Sequence, residues 1–239
     1  MRPLHRLLAF ALLLSALIAP AKAQFGNLMS FDSRLMHYGI RVGYTQSKFD
    51  ITPTNTDSIR QALLTANSYH TAGFHIAVIC DMRLTNFFNL RLMPGITLVD
   101  RKIDYSWNST YLATHPLAEM SRTVESVYGD IPLEIKFRAW RWNDLRPYVT
   151  AGGSYSFDFS SLRKNKNNNQ ESIIRLNPNE WRYTIGVGVD VFLHYVKFAI
   201  ELKTAIGLTN LQTDGNEIYD HAVDHMRSRT FMLSFTFEG

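Results

Sequence analysis

The chain has 239 residues, 46 % hydrophobic and 19 % charged, with a formal net charge of +4 and one cysteine. One cysteine excludes an intramolecular disulfide, and the length allows one large or two small domains. Arg2, Arg6 and Lys22 lie in a leader without an acid, so removing these three cations lowers +4 to +1 and leaves no electrostatic basis for a nucleic-acid partner.

The leader comes first in chain order. Arg2 and Arg6 precede an apolar run from Leu7 to Ala19, followed by Ala21-Lys22-Ala23. A basic start, a short apolar stretch and a small-residue site predict a signal peptide over residues 1–23, cleaved after Ala23. A single domain is expected over residues 24–239. The apolar run is shorter than the ~20 residues of a spanning helix, and no later stretch approaches that length. No cysteine stands directly after the cleavage site, where Gln24 lies, which argues against N-terminal lipidation.

Eight segments then alternate apolar and polar residues with period two, a strand signal. In order they are HYGIRVGYTQSKFDI, GFHIAVICDMR, FNLRLMPGITLVDR, GDIPLEIKFR, RPYVTAGGSYSFDF, the two halves of WRYTIGVGVDVFLHYVKFAIELKTAIGL, and RTFMLSFTFE. Short connections are expected at Leu84-Thr85-Asn86, Trp140–Leu145 and His194-Tyr195. The others, Thr52–Thr71, Asp104–Arg122, Ser160–Glu180 and Thr209–Arg227, are long and polar. The third contains RKNKNNNQ, a solvated loop tip without the interleaved aromatics of a nucleic-acid patch. Cys80, between Val78 and Met82, reads as a small buried hydrophobe.

Short turns at one end and long loops at the other describe an up-and-down outer-membrane barrel. Alternation alone does not say which face is inside, because soluble lipocalin-type barrels alternate too. Three observations place the apolar face outward. An eight-stranded interior is too narrow for that many bulky side chains. Gly39, Gly43, Gly73, Gly95, Gly152, Gly186 and Gly188 fall on the polar face, where crowding demands small residues; Gly153 is the exception. The apolar bands run about nine to eleven residues, the length of a tilted membrane-crossing strand. Trp181, Tyr38, Tyr44 and Phe159 lie near band ends, as interface aromatics do. The expected fold is all-β: an eight-stranded antiparallel transmembrane barrel with short periplasmic turns and long extracellular loops, its eighth strand closing on its first.

By parity the lumen receives Arg41, Arg91, Lys136, Arg138, Arg182, Lys197 and Lys203, with Glu134, Asp158, Asp190, Glu201 and Glu238. These read as a paired ionic plug rather than a selective pore, since buried charges persist when paired.

No P-loop, dinucleotide fingerprint, HExxH or nucleophile-elbow motif occurs. His221 and His225 are four apart in a long loop and His115 lies in another, without a fixed third ligand. No metal, cofactor or small-molecule substrate is expected. Ser154, Ser156, Asp158 and His75 could in principle serve a lipid-modifying barrel enzyme, but nothing in the sequence orients them as a triad, and an enzyme is not expected.

The strings HYGIRVGY, NLRLMPGITL, ESVYGDIPLEIKFR, RPYVTAGGSYSFDF, YTIGVGVDVFLHYVKFAIELKTAIGL and SRTFMLSFTFE resemble the PorT family of Bacteroidetes, strand by strand through nearly the whole mature chain. RPY…GG and GxGxD occur in many small barrels; the order of IPLEIKFR, RPYV, GVGVDVFL and YVKFAIELK is more specific. One departure is that Gly239 follows Glu238, so the final aromatic, Phe237, is not the last residue. The resemblance implies an outer-membrane accessory of type IX secretion, needed to export proteins with a C-terminal sorting domain such as gingipain-like proteases, but not their conduit. It also implies outer-membrane lipid and other secretion components as partners, and brings no catalytic residues. With the lumen filled, loops are the expected contact regions, with Trp107, Tyr111, Leu112, Ile218 and Tyr219 as candidates. Rival readings are an OmpX-like structural or adhesive barrel and a lipid-A-modifying enzyme.

Overall fold

In the computed structural model, residues 31, 34–53, 63–107, 121–160, 177–212 and 223–239 are described. The leader, the RKNKNNNQ tip, His115 and His221 lie outside them. Period-two alternation yields ten strand segments: β1 (Met36–Pro53), β2 (Leu63–Tyr69), β3 (Thr71–Arg83), β4 (Phe88–Leu92), β5 (Gly95–Trp107), β6 (Ser121–Arg138), β7 (Leu145–Asp158), β8 (Asn179–Phe192), β9 (Lys197–Gly207) and β10 (Val223–Glu238).

Ten segments make eight walls. β4 and β5 are one path interrupted at Met93-Pro94. Cys80 faces Leu92 and Ala77 faces Gly95, so the register runs through unbroken. Pro94 has no N–H to donate, which ends the ladder locally without bending the chain out of it; its carbonyl still accepts from Val78 N at 3.0 Å. β2 and β3 are likewise one path, but irregular at His70. Tyr69 faces Lys102 whereas Gly73 faces Val99, so three residues on one side oppose two on the other. That extra residue is a β-bulge, and it exchanges the inward and outward faces beyond it.

Every pairing is antiparallel, and β1 meets β3 on one edge and β10 on the other, from Gly39–Glu238 up to Pro53–Val223. The ring is therefore closed up to Ser47–Thr71, and above it β1 and β2 have no ladder between them. The three short connections occur where expected. In the second, Trp142 and Leu145 exchange backbone bonds of 2.8 and 3.0 Å around Asn143-Asp144. Asn143 adopts φ 53°, the left-handed region that asparagine tolerates better than most side chains.

The long connections are shorter than the hydropathy pattern suggests. β2 occupies part of Thr52–Thr71, β5 continues to Trp107, β6 begins at Ser121 and β10 at Val223. The strands thus outrun their apolar bands: β1 and β6 have 18 residues each. Trp107, expected in a loop, is the last residue of β5, opposite Leu63.

Burial is inverted relative to a soluble protein. Ile40, Ile76, Val78, Ile131, Leu133, Ile185, Val187 and Leu202 are exposed, while Arg41, Arg91, Arg101, Lys136 and Lys197 are among the largest fully buried side chains. The apolar face meets lipid. Cys80 lies on that face and is part-exposed, not buried; its even parity puts it beside Val78 and Met82. Tyr38, Tyr44, Phe159 and Trp181 are exposed at band ends. The turns add Trp140, Trp142 and Tyr195, which extend the girdle at the periplasmic side. Among the described residues no helix is long and apolar enough to cross a membrane.

Gly152 and Gly153 show what the interior demands. A Cβ on Gly152 would lie 2.6 Å from Glu134 Cα, against the backbone of β6, whereas one on Gly153 would meet only Arg182 O at 3.9 Å. Gly152→Ala is expected to destabilise the barrel by about 1–3 kcal/mol, the usual cost of overpacking, and Gly153→Ala by much less. Urea unfolding in detergent micelles checks this; equal effects would refute the assignment of faces.

Candidate functional site: the charged lumen

The lumen is built from the inward positions of all eight walls. Its buried cations are Arg41, Arg91, Arg101, Lys136, Arg138, Arg182, Lys197 and Lys203. Its buried anions are Asp81, Asp130, Glu134, Asp158, Glu180, Asp190, Glu201 and Glu238, so among the described residues eight cations meet eight anions. All twelve charges named from strand parity are here. Four more, Asp81, Arg101, Asp130 and Glu180, share that parity.

The charges are organised in three groups along the axis. At the periplasmic end Lys197 Nζ lies 2.6 Å from Glu238, and Arg91 lies 3.5 Å from Glu238 and 3.7 Å from Asp81. Lys136 Nζ is held by both oxygens of Asp190, at 2.7 and 2.8 Å. Phe31, just before β1, fits into this mouth. Its ring stacks on His37 at 3.8 Å and sits edge-on to Phe192 at 6.1 Å, with Lys197 Nζ 4.8 Å above it. His37 Nε2 also meets the Phe31 carbonyl at 2.8 Å. Arg138, nearby, donates to the Thr85 and Asn86 carbonyls at 3.3 and 3.2 Å, tying β6 to the first turn.

Glu201 of β9 is the hub of the middle group. It accepts from Arg41 at 2.8 Å, Arg91 at 2.9 Å and Tyr148 Oη at 2.9 Å, with Lys203 Nζ at 3.0 Å. Lys203 also donates to Glu134 at 2.7 Å, and Glu134 accepts from Thr184 at 2.9 Å. Tyr148 joins this group to the one below: Lys136 Nζ lies 3.7 Å from its ring centroid. Glu201 persists away from water because it has several partners and each bond is strengthened by the low local dielectric.

The outer group centres on Asp130, which accepts from Arg182, Thr97 and Ser156, the last at 2.6 Å. Arg182 Nε lies 3.8 Å from Glu180, which accepts from Ser228. Arg101 is sandwiched between the rings of Phe49 and Tyr128, at 4.8 and 4.7 Å. Asp158 lies at the top of β7 and accepts from the Ser160 amide at 2.8 Å.

Ser154, Ser156, Asp158 and His75 are all buried in the lumen wall, not at the lipid face. His75 Nδ1 is 2.9 Å from Thr97 Oγ1 and 4.0 Å from Asp130, while Ser156 Oγ donates to Asp130. Serine and histidine are thus linked through a shared acid rather than to each other, so they form no serine–histidine pair. Among the described residues no group of three His, Cys, Asp or Glu side chains could hold a metal ion. His225 Nδ1 lies 3.2 Å from Asn210 Nδ2. Of the candidate contact residues, Tyr111, Leu112, Ile218 and Tyr219 lie outside the described residues, and Trp107 is placed by its backbone at the end of β5.

Solved structures share the architecture. OprG of Pseudomonas aeruginosa aligns at 13 % identity with a TM-score of 0.51, covering 86 % of this chain and 97 % of its own. Ail, the attachment invasion locus protein of Yersinia pestis, gives 14 % identity and a TM-score of 0.41, covering 86 % and 100 %. Neisserial surface protein A gives 10 % and 0.43, covering 83 % and 95 %. No curated protein matches. Residues 22–212 match the family described as outer membrane protein beta-barrel domain. The closed ring, the inverted burial and that match agree: this chain belongs to the outer membrane protein beta-barrel domain family and resides in the outer membrane.

Proposed function

We propose that this barrel is an accessory of the type IX secretion machinery in the outer membrane, required for export of proteins with a C-terminal sorting domain, without being their conduit and without catalysis. Two things support the reading. The strand-by-strand resemblance to the PorT family supplies the system. The observation that carries the mechanism is the lumen: balanced, mutually bonded charges span it from Lys197–Glu238 to Asp130–Arg182, leaving no route for a polypeptide. Function then falls to the rims and loops, where secretion components would dock.

A small structural barrel would have the same filled lumen, so that reading is kept beside the first. Locating sorting-domain cargo in a deletion strain, with a complemented control, separates them. Unprocessed cargo trapped in the periplasm and released by the restored gene is the expected result. Normal surface delivery would overturn the secretion role; altered lipid A with normal export would favour an enzyme, and altered adhesion alone a structural barrel.

A further inference from the structure

The lipid-facing wall is not evenly convex. A groove of about 620 Å³ is lined by Tyr44, Ile185, Val187, Leu202, Phe231 and Leu233, together with Gly186 and Thr204. Its origin is local. Thr204 of β9 is in register with Ile185 on one side and Phe231 on the other, so a trough opens over this short side chain between larger neighbours.

One outward step nearer the extracellular end, the same face becomes cationic. Lys48 stands opposite Arg229 across β1 and β10, and Asp50 opposite Arg227. Asp50 lies 3.3 Å from Lys48 Nζ and 2.9 Å from Arg229. Three cations around one acid leave a local excess of +2, and the side chains of Lys48 and Arg229 are 27 % and 40 % exposed. Arg227 is exposed too, and His70 lies 6.0 Å from the Phe231 ring. Gln46 and Phe231, at the groove, are each two residues from the cations, about 7 Å along a strand.

An apolar trough about 7 Å along the strands from a cationic pair offers an acyl chain an apolar seat with its phosphate towards the cations. Guanidinium and ammonium groups bind phosphate oxygens through charge-assisted bonds, which are stronger at the dry edge of a bilayer than in water. The short turns put this end of the barrel in the outer leaflet. We propose that the outward face of β1, β10, β9 and β8 binds one phosphate-bearing, multiply acylated lipid of the outer leaflet, with an acyl chain in the groove and a phosphate on Lys48, Arg227 and Arg229. The site is independent of the secretion role.

The test is native mass spectrometry of the barrel released from phosphatidylcholine nanodiscs containing a minority of bisphosphorylated lipid A or its dephosphorylated form. Wild type is expected to retain bisphosphorylated lipid A at least tenfold better than the dephosphorylated lipid. The variant Lys48→Gln/Arg227→Gln/Arg229→Gln should lose that preference, and Thr204→Trp, which fills the groove, should lower retention of both lipids. Heat-modifiable gel mobility verifies folding, and Arg227→Gln alone serves if the triple variant does not fold. Equal retention by the headgroup variants, no preference for phosphate, or a second copy of the chain cross-linked across this face in place of lipid would each overturn the proposal.

Discussion

Glu201→Ala is expected to be the most damaging single change in the lumen, lowering unfolding stability by about 3–5 kcal/mol, the usual cost of breaking a buried ion pair by removing one partner. The carboxylate is fully buried and faces Arg41, Arg91, Lys203 and Tyr148. Truncation leaves Arg41 and Lys203 with one anion fewer and empties the space between them. Lys203→Met should cost less, because Glu201 keeps both arginines and Glu134 keeps Thr184. Urea titrations in micelles, followed by tryptophan fluorescence, provide the comparison. If Glu201→Ala unfolds within about 1 kcal/mol of wild type, the hub is not holding the lumen together.

The second large effect lies one residue from a lumen charge, on the opposite face. Leu133 is exposed on β6, midway along its apolar band, whereas Glu134 is buried. Leu133→Arg should cost about 2–4 kcal/mol in a bilayer, as expected for a cation at mid-depth of a barrel's lipid face. The penalty should shrink strongly in detergent, where the guanidinium reaches water more easily. Measuring both media makes this a test of membrane depth and not only of packing; equal costs in the two would place Leu133 away from the bilayer centre.

Much of this architecture was legible because membrane barrels obey local rules. Alternation located eight walls, three turns and the closing pair β1–β10, and parity alone sent Arg41, Glu201 and their companions inward. What was missed has definite causes. β2 was hidden by the bulge at His70, which reverses the phase, and by a polar sequence, LLTANSY, that carries no apolar stripe. Trp107 was assigned to a loop because hydropathy stops at the bilayer edge while the backbone ladder does not. Which charges would pair was also out of reach. Arg41 and Glu201 are 160 residues apart, and their contact depends on the stagger of the closed ring, which no single strand encodes.

The length of β1 and β6 has a consequence for anything approaching from outside. Eighteen residues at about 3.3 Å each, tilted by about 40°, rise about 45 Å along the membrane normal, while the hydrocarbon to be crossed is about 25–30 Å thick. On the β1 and β6 sides the surplus stands clear of the acyl chains, among or above the lipid sugars, whereas β9 has only 11 residues. The outer ends of β1 and β6 are therefore presented on a pedestal, not at lipid level. A partner can engage them without entering the bilayer, and a surface glycan layer of that thickness would not hide them.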